Sequence, residues 1–184
     1  MKKVFLILIV LGAAAWYFRY PLAGNLMSPF IVSSKEKALI DQFDDICFKT
    51  QANSQNIMNL VQQHNWQALS HIPSQTMTAG GRYLGGWMTS DEFHLYITEE
   101  KFSYGPSNVC MLGMANARSG YVVSALISKF SLGVPDSDAS LNSTQSMLVW
   151  NHQNMKLSLM KDSNPQPEFG GNPSVSVILV VPAN

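Results

Sequence analysis

The sequence predicts an α+β domain in which an antiparallel sheet of about five to six strands is packed by two N-terminal helices and one mid-chain helix. Three observations predict it. Apolar residues recur at helical spacing between Ser33 and Trp66, the period changes to two from Arg82 onwards, and helical spacing returns once, between Val122 and Phe130.

Taken in order, Ser33 followed three places later by Glu36 is a capping-box pattern, and Leu39, Phe43, Ile46 and Cys47 follow at helical spacing. Cys47 is thereby expected on the buried face of the first helix. A second helix starts near Asn53 or Ser54, with Ile57, Leu60 and Val61 inward and His64 in line with them, and fades beyond Trp66 towards Pro73. Thr76 to Gly81 has turn composition. Tyr83 to Met88 reads as a short strand interrupted by Gly85 and Gly86, and Ser90 and Asp91 as a turn. Phe93, Leu95 and Ile97 then alternate with His94, Tyr96 and Thr98, which predicts a hairpin with one wet face.

Gly105 and Pro106 make the next turn, and Asn108 to Ala115 reads as a buried strand carrying Cys110. Val122, Val123, Leu126, Ile127 and Phe130 describe the third helix, closed by Gly133 and Pro135. Asp136 to Gln145 is polar and reads as an exposed loop. Strands Ser146 to Trp150 and Met155 to Met160 flank the turn Asn151 to Asn154, and a last strand, Val175 to Val181, follows the loop Asp162 to Ser174. Helices before three strands, then a helix before three more, suggest a duplication, but the halves do not match residue by residue.

The chain opens with Lys2 and Lys3, an unbroken apolar stretch from Val4 to Phe18, then Arg19, Tyr20 and Pro21. Fifteen residues reach about 22 Å as a helix, short of a hydrocarbon core of about 30 Å, which favours a signal peptide. Ala13 and Ala15 offer a small-x-small cleavage site. The competing reading is an uncleaved anchor, because Trp16, Tyr17, Arg19 and Tyr20 form an aromatic and basic belt suited to a membrane interface. Lys2 and Lys3 hold the start in the cytoplasm on either reading. Residues 1–20 are thus a signal peptide or signal-anchor transmembrane helix, 21–32 a stalk, and 33–184 an exported domain. The expected location is the bacterial inner membrane with a periplasmic domain, or the periplasm if the signal is cleaved. No cysteine lies between Gly12 and Gly24 to carry a lipoprotein anchor.

In an exported chain whose only cysteines are Cys47 and Cys110, a disulfide between them is expected. It would restrict the unfolded chain by about 4 kcal/mol in the loop-entropy account. Two buried free thiols are the alternative; the pair lacks Cys-x-x-Cys spacing for metal or redox work.

Apolar residues make up 46% of the chain and charged residues 13%, so the solvated face must be built largely from Asn, Gln, Ser and Thr. Twelve basic and twelve acidic side chains balance, and no basic run follows Arg19, which argues against nucleic acid as a partner.

No Gly-x-Ser-x-Gly elbow is present. Ser34-x-x-Lys37 and Ser158-x-x-Lys161 have the spacing of penicillin-recognising enzymes but lack their companion motifs. The carboxylates fall mostly at turns, and His64, His71, His94 and His152 lack zinc spacing. Ten methionines are many for this length. Met147, His152 and Met155, beside Trp150, offer the thioether and imidazole ligands that a cuprous ion prefers; the set resembles small periplasmic copper carriers in ligand type only.

No motif declares a family and no cofactor is required. The expected function is a non-enzymatic exported domain that binds a protein or a cell-envelope component, one version being an envelope immunity or inhibitor protein that neutralises a toxin. Two alternatives stand beside it. One is a small periplasmic hydrolase assembled only in three dimensions, from His94 or His152 with Ser103, Tyr96 or Asp91; the other is the copper carrier.

Overall fold

Asn53 shows how local chemistry starts an element here. Its side chain accepts a hydrogen bond from the Asn56 N–H at 3.0 Å and so caps helix α2 (Ser54–His64), an interaction worth about 1 kcal/mol. The helix ends where Asn65 turns left-handed at φ 52°. Ile57 and Val61 face inward, whereas His64, expected in line with them, is exposed and stacks on Trp66.

The computed structural model describes residues 34–70, 81–141, 143–163 and 173–183. The expected signal or anchor with Lys2, Lys3, Trp16, Tyr17, Arg19 and Tyr20, the stalk, the Ser33 cap, His71 and most of the Thr76 to Gly81 turn lie outside the described residues.

Helix α1 (Ser34–Phe43) buries Leu39, Ile40 and Phe43, then widens into a π-helical segment, Asp44–Phe48, that carries Ile46 and Cys47 inward. Glu36, expected to cap its own helix, is buried, and its Oε1 accepts the Arg118 N–H at 3.3 Å. Arg118 is the N-cap of helix α3 (Ser119–Phe130), so a carboxylate from α1 sits where α3 presents free N–H groups. The expected stop of α3 at Gly133 is two residues late: Ser131 takes the left-handed cap at φ 53° and its N–H bonds to the Ile127 carbonyl.

The described strands are β1 (Gln67–Ala68), β2 (Arg82–Met88), β3 (His94–Phe102), β4 (Gly105–Met114), β5 (Ser137–Ser140), β6 (Gln145–His152), β7 (Met155–Asp162) and β8 (Val175–Pro182). They form one antiparallel sheet of eight strands in the order β1-β2-β3-β4-β8-β7-β6-β5, larger than the five to six expected. Strand β1 is too short to show a period. Strand β5 lies within the stretch read as an exposed loop; its Ser-Asp-Ala-Ser sequence has no apolar alternation, and the ladder to β6, from Ser137↔Val149 to Ser140↔Ser146, defines it.

Two four-stranded meanders therefore meet at the β4–β8 pair, from Met114↔Val175 to Ser107↔Pro182, and a helix precedes each. The two meanders run inward from opposite edges of the sheet, β1 to β4 from one and β5 to β8 from the other. The hairpins fit its twist: Gln153 and Asn154 both take positive φ between β6 and β7, and Gly105, at φ 128°, opens β4 where a side chain would be strained.

Residues paired across the ladders share a face. Leu95, Ile97, Cys110, Leu112, Leu157 and Leu179 point to the helices and are buried with Leu39, Phe43 and Leu126 in the main core. There Cys47 and Cys110 form a disulfide with Cα atoms 5.6 Å apart, pinning the π-helical segment to a central strand. The opposite face of β3 is not wet as expected: His94, Tyr96 and Thr98 are 7%, 2% and 3% exposed.

The bridge spans a sequence separation of 63 and is fully buried at both ends. Replacing both cysteines by alanine is expected to lower unfolding free energy by about 2–5 kcal/mol in urea titrations. An unchanged urea midpoint would count against this structural role.

Candidate functional site

The side chains on the helix-free face alternate with those of the core. In the middle of the sheet this face is apolar, with Val109 and Met111 on β4 beside Ile178 and Val180 on β8. Met160, Met147 and Val149 extend it across β7 and β6. Above this floor lies a cavity of about 550 Å³, open on one side, that runs from Tyr96, Thr98 and Glu100 on β3 to Ser137 on β5.

Tyr96, Met111 and Met160 are buried on this face, where Leu69, Tyr83 and Ile178 pack against them as a second, smaller apolar cluster. The rim is different. Tyr104 and Leu141, two of the three large hydrophobic residues that are exposed among those described, both border the cavity, at 51% and 48% exposure.

Few polar groups enter. The Thr98 hydroxyl is buried and has no hydrogen-bond partner among the described residues. Glu100 is buried opposite Ser107 in the ladder, and a β-carbon at Gly81 would collide with its carboxylate, so glycine permits that approach. Lys156 is half-buried and places Nζ over the Tyr104 ring at 4.3 Å, while Tyr104 itself stacks on Phe102 with centroids 5.1 Å apart. These three side chains make a wall at the lower edge of the trough.

Of the candidate hydrolase residues, the structure brings together only His94 and Tyr96, with His94 Nδ1 3.3 Å from the Tyr96 hydroxyl. Burial lowers the His94 pKa; burial first, and then the charge of Tyr83, pushes Tyr96 up to about 12. Asp91 accepts from the Gln42 side-chain amide, Ser103 sits in the β3–β4 turn, and His152 packs 6.0 Å from the Phe48 ring on the helix side. The copper set is divided by the sheet. His152 and Met155 face each other on the helix side, whereas Met147, at an odd offset along β6, lines the cavity. No group of three or more His, Cys, Asp or Glu able to hold a metal occurs among the described residues, and no described helix is long and apolar enough to cross a membrane.

Sequence reasoning missed the trough. Its signal was present in β8, whose Val175 to Val181 is apolar at all but one position and so offers both faces a dry surface.

The His94 shift predicts a pH dependence. The unfolded chain protonates this histidine near the ordinary value of 6.5, and the folded chain only at lower pH. Stability from the neutral buried ring is whole above about pH 6.5 and is lost as pH falls through the folded value. His94→Asn should flatten that limb of a plot of urea midpoint against pH. An unaltered limb would assign it to other groups.

Comparison of the chain with protein-family models, with curated proteins and with solved structures finds no match.

Proposed function

We propose that this chain is a non-enzymatic binding domain of the cell envelope, and that its helix-free sheet face holds an apolar envelope component. The observation that carries this reading is the cavity of about 550 Å³ with an apolar floor, a size within the range of about 300–1,000 Å³ typical of small-molecule sites. Three methionines in its lining, Met111, Met147 and Met160, support it further, because unbranched thioether side chains adapt to ligands of varied shape. The exposed rim residues Tyr104 and Leu141 give an entering molecule apolar contact before it reaches the floor.

The expected export segment supports an envelope location, since a stalk of about a dozen residues would keep the domain near the membrane. An immunity protein would meet its toxin over a broad complementary surface, whereas an apolar trough of this volume favours a molecule that enters it. Less supports the hydrolase reading, whose Asp91 is engaged by Gln42 and of whose residues only His94 and Tyr96 meet, or the copper reading, whose Met147 and His152 lie on opposite faces.

Titration of the full chain with the uncharged dye Nile red tests the reading. The wild type should bind it saturably, and Val149→Trp, which projects an indole into the trough, should weaken binding about tenfold, or about 1.4 kcal/mol. Circular dichroism and melting temperature should stay close to wild type. Saturable binding of equal strength in the variant would overturn the placement of the site.

A further inference from the structure

We propose that the ligand of the trough is a single-chain amphiphile with an anionic head, its hydrocarbon chain against the Met-lined floor and its head held by Lys156. This deepens the reading given above and rests on it. A second hollow, of about 360 Å³, adjoins the trough at its lower edge. Tyr104, Lys156 and Val180 line both, so one molecule can occupy the two spaces across that wall.

The hollows differ in chemistry. The larger offers methionine, valine and isoleucine; the smaller adds the amides of Asn151, Gln153 and Asn154 from the β6–β7 hairpin. A hydrocarbon chain is matched by the first and a solvated head by the second.

Charge then selects the sign of the head. Lys156 is the only basic side chain lining either hollow among the described residues. It makes no ion pair among the described residues, a condition shared with Lys101, Arg118 and Lys161, none of which lines either hollow. Its ammonium is held at the junction by the Tyr104 ring, 4.3 Å away, which orients it without neutralising it. Glu100, the acid lining the trough, is buried on β3, three strand spacings from β7 and on the order of 14 Å away, too far to pair with the Lys156 ammonium. Asp136, near the second hollow, accepts hydrogen bonds from the backbone and side-chain N–H groups of Asn151. One cation at the border of an apolar trough and an amide-lined hollow is complementary to a fatty acid or a similar lipid with one chain.

Displacement of Nile red from the full chain by dodecanoate and by dodecanol, which share a chain and differ in head charge, tests this. The wild type is expected to bind dodecanoate about tenfold more tightly than dodecanol. Lys156→Gln should abolish that preference by weakening dodecanoate about tenfold more than dodecanol, and Lys156→Arg should retain it. Equal affinity for the two in the wild type, or a Lys156→Gln variant that weakens both alike, would overturn the anionic-head assignment and leave the apolar site standing. Failure of both to displace bound dye would overturn the amphiphile, and absence of saturable dye binding would overturn the site itself.

Discussion

Both faces of the molecule depend on the antiparallel pairing of β4 with β8. Because side chains alternate along each strand, this ladder sends Cys110, Leu112, Val177 and Leu179 to the helices and Val109, Met111, Ile178 and Val180 to the trough. A slip of one residue would exchange the two sets and place the disulfide cysteine on the wrong side. The pairing also joins the two meanders, so the trough, which crosses from β3 to β5, exists only when both halves are assembled. Fold and candidate site are thus consequences of one register.

That register is secured from the helix side. Cys47 reaches Cys110 from a π-helical segment, the buried carboxylate of Glu36 ties α1 to the start of α3, and Phe43 and Phe48 meet the Phe130 ring. Polar contacts over these helices add little energy. Hydrogen bonds from Lys37 and then Lys129 hold the Asp41 carboxyl below its ordinary value, yet these pairs are largely solvated. Hydrophobic burial and the cross-link set the stability, and the ion pairs lie on the solvated outer surface.

The sequence made legible what local chemistry determines. Asn53 announces α2, the Leu39, Phe43 and Cys47 spacing announces the first buried helical face, and β7 and β8 follow their apolar runs. What it hid depends on long-range pairing. Ser137 to Ser140 becomes a strand only because β6 lies alongside, and His94, Tyr96 and Thr98 read as solvated because three moderately polar residues in alternation carry no mark of burial. Met147 and His152 misled in the opposite sense, since five positions are close in a chain and opposite in a strand. The trough was partly legible in β8; the lysine at its edge was not, because only the fold brings Tyr104 from one meander against Lys156 of the other.

This crossing contact gives the helix-free face its polarity. A lysine whose stem lies on apolar floor normally extends its ammonium to water, and here the Tyr104 ring fixes where it emerges. Tyr104 is placed by the β3–β4 turn and by stacking on Phe102, so its position follows from the same hairpin that aligns Glu100 with Ser107. The separation of the acid on β3 from the base on β7 is therefore set by strand order, with β4 and β8 between them. In a chain with only 13% charged residues, a fixed cation beside a dry surface creates a local field that few neighbouring charges oppose.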